Sequence, residues 1–178
     1  MGIVYYGITP HVLKMGIERE CKAFVETGTY RGDTARLAAQ IFTEVHTIES
    51  NPEYFITAAS TTAINSPEVK LAFHRGESPT ILRTILPGLP IPVLFWLDAH
   101  WMGEGPMPLC ECPLLDELVA INESGCRGII AIDDARLFID PPPPPHNPAQ
   151  WPTMAQVRLV LGERHVVICE DVIIATDP

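Results

Sequence analysis

Five acidic residues and one histidine stand where short apolar runs give way to turns. Glu26 ends the run AFVE, Glu49 ends VHTIE, Asp98 ends VLFWLD, Asp133 and Asp134 close GIIAIDD, and His100 follows Asp98 by two positions. Carboxylates gathered in a partly buried cleft repel one another unless a cation joins them. Oxygen ligands suit Mg²⁺, Ca²⁺ or Mn²⁺, so Asp98, Asp133 and Asp134 are candidate metal ligands. An imidazole beside them titrates in the range useful to a general base, which makes His100, with Asp98, a candidate catalytic residue. The plainer alternative is that Asp133 or Asp134 caps a helix and Asp98 is a solvated strand end.

Other turns carry binding chemistry. After Glu26 comes TGTYRGDT, with Gly28 and Gly32 four apart and Thr29 and Tyr30 between them. Glycines ahead of a helix allow a tight turn where a ligand approaches the backbone. The spacing is neither G-x-G-x-x-G nor a phosphate-binding G-K-S/T loop. Glu49, followed by Ser50, lies about 20 residues beyond that turn, where an acidic residue accepts hydrogen bonds from ribose hydroxyls. The polar turn HRGES, with Gly76, Glu77 and Ser78, is placed to meet a purine edge. Cys110, Cys112 and Cys126 near His100 could suggest zinc, but C-x-C is not the usual spacing, so these read as ordinary thiols. Trp96 reads as core, and Trp101 either as core or as pocket lining.

The elements that must position these residues follow from periodicity. Runs at 23–26, 45–49, 69–73, 93–98, 128–133, 165–169 and 172–175 are short, apolar and rich in Val and Ile, like strands buried on both faces. Between them, Ala35, Ala38, Ala39 and Phe42 show helical spacing after Asp33 or Thr34 as N-cap, and Leu114, Leu118 and Ile121 repeat it. Thr153 and Gln156 predict a capping box, with Gly162 as the C-cap. Strands alternating with helices predict an α/β fold with a mostly parallel sheet. Only Glu170-Asp171 separates the last two runs, which predicts a C-terminal antiparallel hairpin. The reading is one domain over 1–178, with 1–22 as a short N-terminal extension. Residues 139–151 form a proline-rich loop, PPPPP at its centre. The loop is either a stiff surface connector or a wall over the site.

Composition sets outer bounds. The chain has 178 residues, 47% hydrophobic and 19% charged, which excludes a disordered polymer. A net charge of −10 argues against nucleic-acid phosphate and anionic membranes as partners. Five cysteines, an odd number, and a start without signal-peptide features point to reduced thiols and a cytoplasmic setting. No run is long enough for a membrane helix.

The motifs FVETGTYRGDT, VHTIESNP, RGES, LFWLDAHW and IIAIDD, in this order across residues 20 to 178, resemble those of class I S-adenosylmethionine-dependent methyltransferases. The closest likeness is to the divalent-metal-dependent O-methyltransferases of the catechol and macrocin kind. The resemblance implies a Rossmann-like seven-stranded sheet with helices on both faces. It implies that Glu26, Gly28 and Gly32, with Thr29 and Tyr30, line the methionine portion of S-adenosylmethionine. Glu49 and Ser50 would hold the ribose, Gly76, Glu77 and Ser78 would lie near the adenine, and Asp98 would border the cofactor. Asp98, Asp133 and Asp134 would bind Mg²⁺ or another divalent cation. The implied reaction is methyl transfer to a hydroxyl of a small molecule or sugar. A metal-dependent hydrolase and a non-catalytic cofactor-binding domain are the alternatives, and a homo-oligomer is compatible with either. Two features depart from the family. The lysine base of the catechol type is replaced by Trp101, leaving His100 as its substitute. Only about 22 residues precede the first strand, so the loop at 102–113, the proline segment or a second subunit must wall the pocket.

Overall fold

A computed structural model of the chain describes residues 7–61, 68–103 and 108–178. The elements run α1 (Pro10–Glu18), β1 (Ala23–Thr27), α2 (Asp33–Ala38), β2 (Glu44–Glu49), α3 (Pro52–Thr61), β3 (Lys70–Arg75), α4 (Ser78–Ile85) and β4 (Val93–Leu97). They continue with α5 (Leu114–Ser124), β5 (Gly128–Ile132), α6 (Arg136–Ile139), α7 (Met154–Leu161), β6 (His165–Cys169) and β7 (Val172–Thr176). All seven expected strands form within two residues of their expected bounds. They build one sheet in the order β3-β2-β1-β4-β5-β7-β6. Neighbours are parallel from β3 through β5, and β7 joins antiparallel to both β5 and β6.

The central strands are buried on both faces because alternate side chains feed two cores. Val25, Phe95, Leu97, Ile130 and Ile132 pack with Leu82, Leu118, Ile121, Val157 and Leu161 of α4, α5 and α7. Phe24, Leu94, Trp96, Ile129 and Ala131 face the other way, onto Val12 and Leu13 of α1, Ala38 of α2 and Phe42. Trp96 is core, as expected. The edge strands β3 and β6 are only partly covered, so their apolar runs do not mark double burial.

Three local readings change. The helix expected through Phe42 ends at Ala38, with Ala39 as its C-cap. Its N-cap is Gly32, in the left-handed region, rather than Asp33 or Thr34, and Asp33 is the first helical residue. The stretch 1–22 contains α1, capped by Thr9 with Pro10 in its first turn. Gly16 lets α1 lie close on the sheet, since a Cβ there would come within 2.7 Å of a Leu94 methyl. The capping box of Thr153 and Gln156 and the Gly162 cap form as expected. Around the five prolines, α6 ends at Ile139 and a 3-10 turn covers Pro148–Gln150.

β1 is the topological switch point. The chain steps outward from it to β2 and β3, then returns to β4 on its other side. In open α/β sheets the crevice at such a point, beyond the carboxyl ends of the strands, is where ligands bind.

Candidate functional site

At the switch point the turn after β1 closes directly on the end of β4. Asp98 N donates to Thr27 O at 3.1 Å, and Gly28 N and Thr29 N both donate to Ile48 O, at 2.9 and 3.2 Å. Gly28 has φ +85°, and a Cβ there would lie 2.6 Å from the Asp98 carbonyl oxygen. Only glycine permits this approach. Tyr30, also at positive φ, donates its N–H to Glu49 Oε2 at 2.8 Å, and Asn51 N donates to Oε1 at 2.8 Å. Glu49 thus joins the turns after β1 and β2, while keeping one lone pair on each oxygen for a further donor. Ser50 beside it is exposed.

Glu26 lies beneath this turn, 2% exposed. It accepts from the Thr47 hydroxyl, which is 2.6 Å from the hydroxyl of Thr29. Burial raises its pKa to about 8, against the pull of the Thr47 and Thr34 hydroxyls. The third turn is tied in through Gly76 N, which donates to Glu49 O at 3.0 Å. Glu77 is the exposed N-cap of α4. The buried Ser78 hydroxyl donates to Glu117 of α5. Glu117, absent from the sequence reading, is 1% exposed, and burial raises its pKa to about 7.

On the other side of the switch point, Asp98, His100 and Asp134 each offer a ligand atom within 4.8 Å of the other two. His100 Nδ1 is 3.7 Å from Asp98 Oδ1, and His100 Nε2 is 3.4 Å from Asp134 Oδ2. Asp134 has φ +57°. Its Oδ1 accepts from Arg136 Nη1 at 2.6 Å, and Arg136 also pairs with Asp171 of the β6–β7 turn. Asp133 lies alongside but outside the group of three, its Oδ1 accepting from Asp134 N at 2.8 Å. Burial first, then Asp133 and Asp134, holds the Asp98 carboxyl well above the usual carboxylate range. Burial and Asp134 raise Asp133 to about 7. Burial lowers the pKa of His100 and so favours neutral imidazole. Among the described residues no hydrogen-bond donor reaches the Asp98 carboxylate. Leu97, Asp98, His100, Cys112, Glu117 and Asp133 are among the residues lining a small, half-open space of about 10 Å³. That is room for one water or ion, not for a nucleoside. A larger groove of about 230 Å³, by Arg19, Pro92 and Arg127, lies at the opposite ends of the strands.

The proline segment is fastened over this half of the site by Glu111, which the sequence reading noticed only within C-E-C. Fully buried, Glu111 accepts from Trp151 Nε1 at 2.9 Å, Asn147 N at 2.9 Å and His146 Nδ1 at 3.1 Å. Burial alone would raise its pKa, but these donors outweigh it and hold the carboxyl low. The Trp151 ring lies 5.4 Å from His100 and 5.5 Å from His146, and the Trp101 ring 5.2 Å from His146. The segment is therefore tied to this half of the site through His146, Asn147 and Trp151. In the other expected wall, 102–113, residues 104–107 lie outside the described residues. The cysteines form no metal cluster among the described residues, and burial raises Cys112 to about 12 and Cys21 to about 11, so both stay protonated.

No protein-family model matches the sequence, and no curated protein matches it. Solved structures do match its shape. One is the O-methyltransferase TomG from Streptomyces achromogenes, involved in tomaymycin synthesis and in complex with SAM. It has TM-score 0.62 and 15% identity, with 94% of this chain and 78% of TomG covered. The SAH-bound methyltransferase PaMTH1 of Podospora anserina has TM-score 0.58 at 16% identity, over 93% and 76% of the two chains. An O-methyltransferase from Bacillus cereus in complex with SAH has TM-score 0.59 at 12% identity, over 96% and 82%. The fold is thus the Rossmann-like methyltransferase fold, as the sequence motifs imply. Among the described residues no helix is long and apolar enough to cross a membrane.

Proposed function

We propose that the protein is an S-adenosylmethionine-dependent O-methyltransferase acting on a hydroxyl of a small molecule or sugar with the help of a divalent cation. One observation carries the reading. The switch point brings a glycine turn and a ribose-type acceptor, Glu49, against a carboxylate–imidazole group that asks for a cation. When bound, S-adenosylmethionine supplies a methyl on a sulfonium, and a divalent cation lowers the pKa of a hydroxyl held on it.

The chain's own residues supply position and field. Gly28, Thr29 and Tyr30 leave backbone open for close approach. Glu49, preset by two amides, offers its remaining lone pairs to ribose hydroxyls. Gly76, Glu77 and Ser78 border the adenine side, and Glu26 and Asp98 border the place of the sulfonium, whose positive charge would favour their ionised forms. Asp98, His100 and Asp134 are placed to hold the cation, with Asp133 orienting Asp134 through its amide. A neutral His100 can serve either as ligand or as proton acceptor. The wall of Trp101, His146 and Trp151 shields the reacting oxygen, and exclusion of water strengthens each charge interaction there. The reaction setting is cytoplasmic, consistent with five unpaired cysteines.

The hydrolase alternative would use Asp98, His100, Asp133 and Asp134 but leaves Glu49 without a task. The test is transfer of labelled methyl from S-adenosylmethionine to a panel of hydroxyl acceptors, with and without added dication. Dication-dependent ether formation is the expected result. Cofactor binding without transfer to any acceptor would point to the binding-domain alternative.

A further inference from the structure

We propose that His146, in the proline segment, is the general base for the acceptor hydroxyl, and that Glu111 is the residue that positions it. The inference deepens the proposed function by naming the proton acceptor, and rests on that reading for the hydroxyl that loses its proton.

Two imidazoles, His100 and His146, pack against the Trp151 ring, at 5.4 and 5.5 Å. They are held differently. His100 turns Nδ1 toward Asp98 and Nε2 toward Asp134, at 3.7 and 3.4 Å, so both its nitrogens face carboxylates. His146 gives only Nδ1 to a carboxylate, Glu111 Oε2 at 3.1 Å. Among the described residues its Nε2 has no hydrogen-bond partner.

Glu111 fixes the tautomer. Trp151 Nε1 and Asn147 N can only donate, and both donate to this fully buried carboxyl at 2.9 Å. The donors hold the carboxyl low and so ionised. An ionised carboxylate only accepts. The proton of a neutral His146 therefore sits on Nδ1, and Nε2 carries a lone pair. A carboxylate behind Nδ1 also stabilises the imidazolium formed when Nε2 takes a proton.

The free edge of the ring lies beside the turn that leaves β4. A Cβ at Gly103 would stand 3.6 Å from Nε2, so glycine there keeps that edge uncovered. The ring meets Trp101 edge-on, with centroids 5.2 Å apart, and the side chain is 15% exposed. It is fixed on three sides yet reachable. Glu111 and His100 are the titratable groups that act on it.

As the acceptor oxygen bonds to the methyl carbon, the carbon–sulfur bond breaks and sulfur keeps its electron pair. The hydroxyl proton passes to Nε2, and the imidazolium later yields it to water. The products are the methyl ether and S-adenosylhomocysteine.

The test has two readouts on the full-length protein. Nitrogen-15 NMR of the histidine-labelled protein, without cofactor or acceptor, should show His146 as the Nδ1–H tautomer, and Glu111→Gln should mix the tautomers. Methyl transfer from S-adenosylmethionine, with added dication, is then measured to simple sugars and to phenols of graded acidity. His146→Asn keeps an N–H for Glu111 but has no base. It should melt near the parent, lower kcat by about 10²-fold and change KM for S-adenosylmethionine little. The loss should shrink as the phenol becomes more acidic. Glu111→Gln should move the acid limb of the pH profile of kcat/KM to lower pH, since the imidazolium loses its carboxylate. Circular dichroism checks folding, and His146→Asn decides alone if Glu111→Gln does not fold. An Nε2–H tautomer, an unchanged kcat in folded His146→Asn, or a loss equal for all phenols would each overturn the inference. Transfer by both the parent and His146→Asn at equal rates sinks this inference alone. No transfer by the parent to any acceptor sinks the functional reading, and the base assignment with it.

Discussion

The two halves of the site treat their carboxylates in opposite ways. On the β1–β3 side each inward-facing carboxylate has donors. Glu49 takes two amides and Glu26 takes a threonine hydroxyl. On the β4–β5 side Asp98 has no donor among the described residues, and its nearest cation-forming neighbour is an imidazole at 3.7 Å. The first half is complete as folded and offers leftover lone pairs to a hydroxyl-bearing ligand. The second is incomplete, because buried carboxylates at this spacing carry protons unless a cation arrives. The contrast recurs within the second half. Glu111, just as buried as Glu26, has three donors and its carboxyl is held low, whereas Asp98, with none, is held high.

Removing the unpaired carboxylate should have the largest effect. Asp98→Ala should reduce dication-dependent methyl transfer by about 10³-fold, the several kcal/mol that metal assistance supplies, with a much smaller loss of cofactor affinity. Parallel loss of both, measured by initial rates and calorimetry, would erase the distinction between the halves. Next comes the contact that joins them. Gly28→Ala forces a side chain into left-handed backbone against the Asp98 carbonyl. It should destabilise the fold by about 2–4 kcal/mol in urea unfolding, and a change below ~0.5 kcal/mol would mean that the turn relaxes freely.

Glu111→Ala strips the acceptor from Trp151, Asn147 and His146, and should cost about 1–3 kcal/mol with faster proteolysis within 139–151. Unchanged proteolysis would show that the wall is held by other contacts.

The last prediction tests the satisfied half by pH. The pKa of Glu26 is raised from 4.5 to about 8 by burial. Its contribution to stability is therefore fully present below about pH 4.5 and is lost as pH rises through 8. Glu26→Gln, neutral at every pH, should melt near the parent at pH 5 and above it at pH 9. A melting difference that does not grow with pH would contradict the burial argument.

Much of this was legible in the sequence because parallel strands buried on both faces write continuous apolar runs, and their last residues mark the binding edge. Glu26, Glu49, Asp98, Asp133 and Asp134 were found that way, and the two-residue link at Glu170-Asp171 gave the hairpin. Helices α1, α3 and α4 were not read. The Ala, Ser and Thr of α3 show little amphipathic contrast, and the Pro residues opening α1 and α4 look like turn signals although proline is at home in a first helical turn. Glu117 had a signal: it lies three residues after Leu114 and four before Ile121, on the apolar face of α5 itself, where a charge needs a reason. Glu111 had none, because its partners Asn147, His146 and Trp151 are some 35 to 40 residues away and meet it only in the folded chain. That Asp98, His100 and Asp134 group together while Asp133 turns Oδ1 to the Asp134 amide also needed coordinates, since strand ends fix which residues are near but not how their atoms face.

The central claim is that the β1–β2 edge binds S-adenosylmethionine through Glu49. It is tested most directly by isothermal calorimetry of S-adenosylmethionine against the unmodified protein and Glu49→Ala. The account predicts one site per chain, weakened about 10–100-fold in the variant by loss of roughly 1.5–3 kcal/mol of charged hydrogen bonding. No binding to the unmodified protein, or equal binding to both, would contradict it.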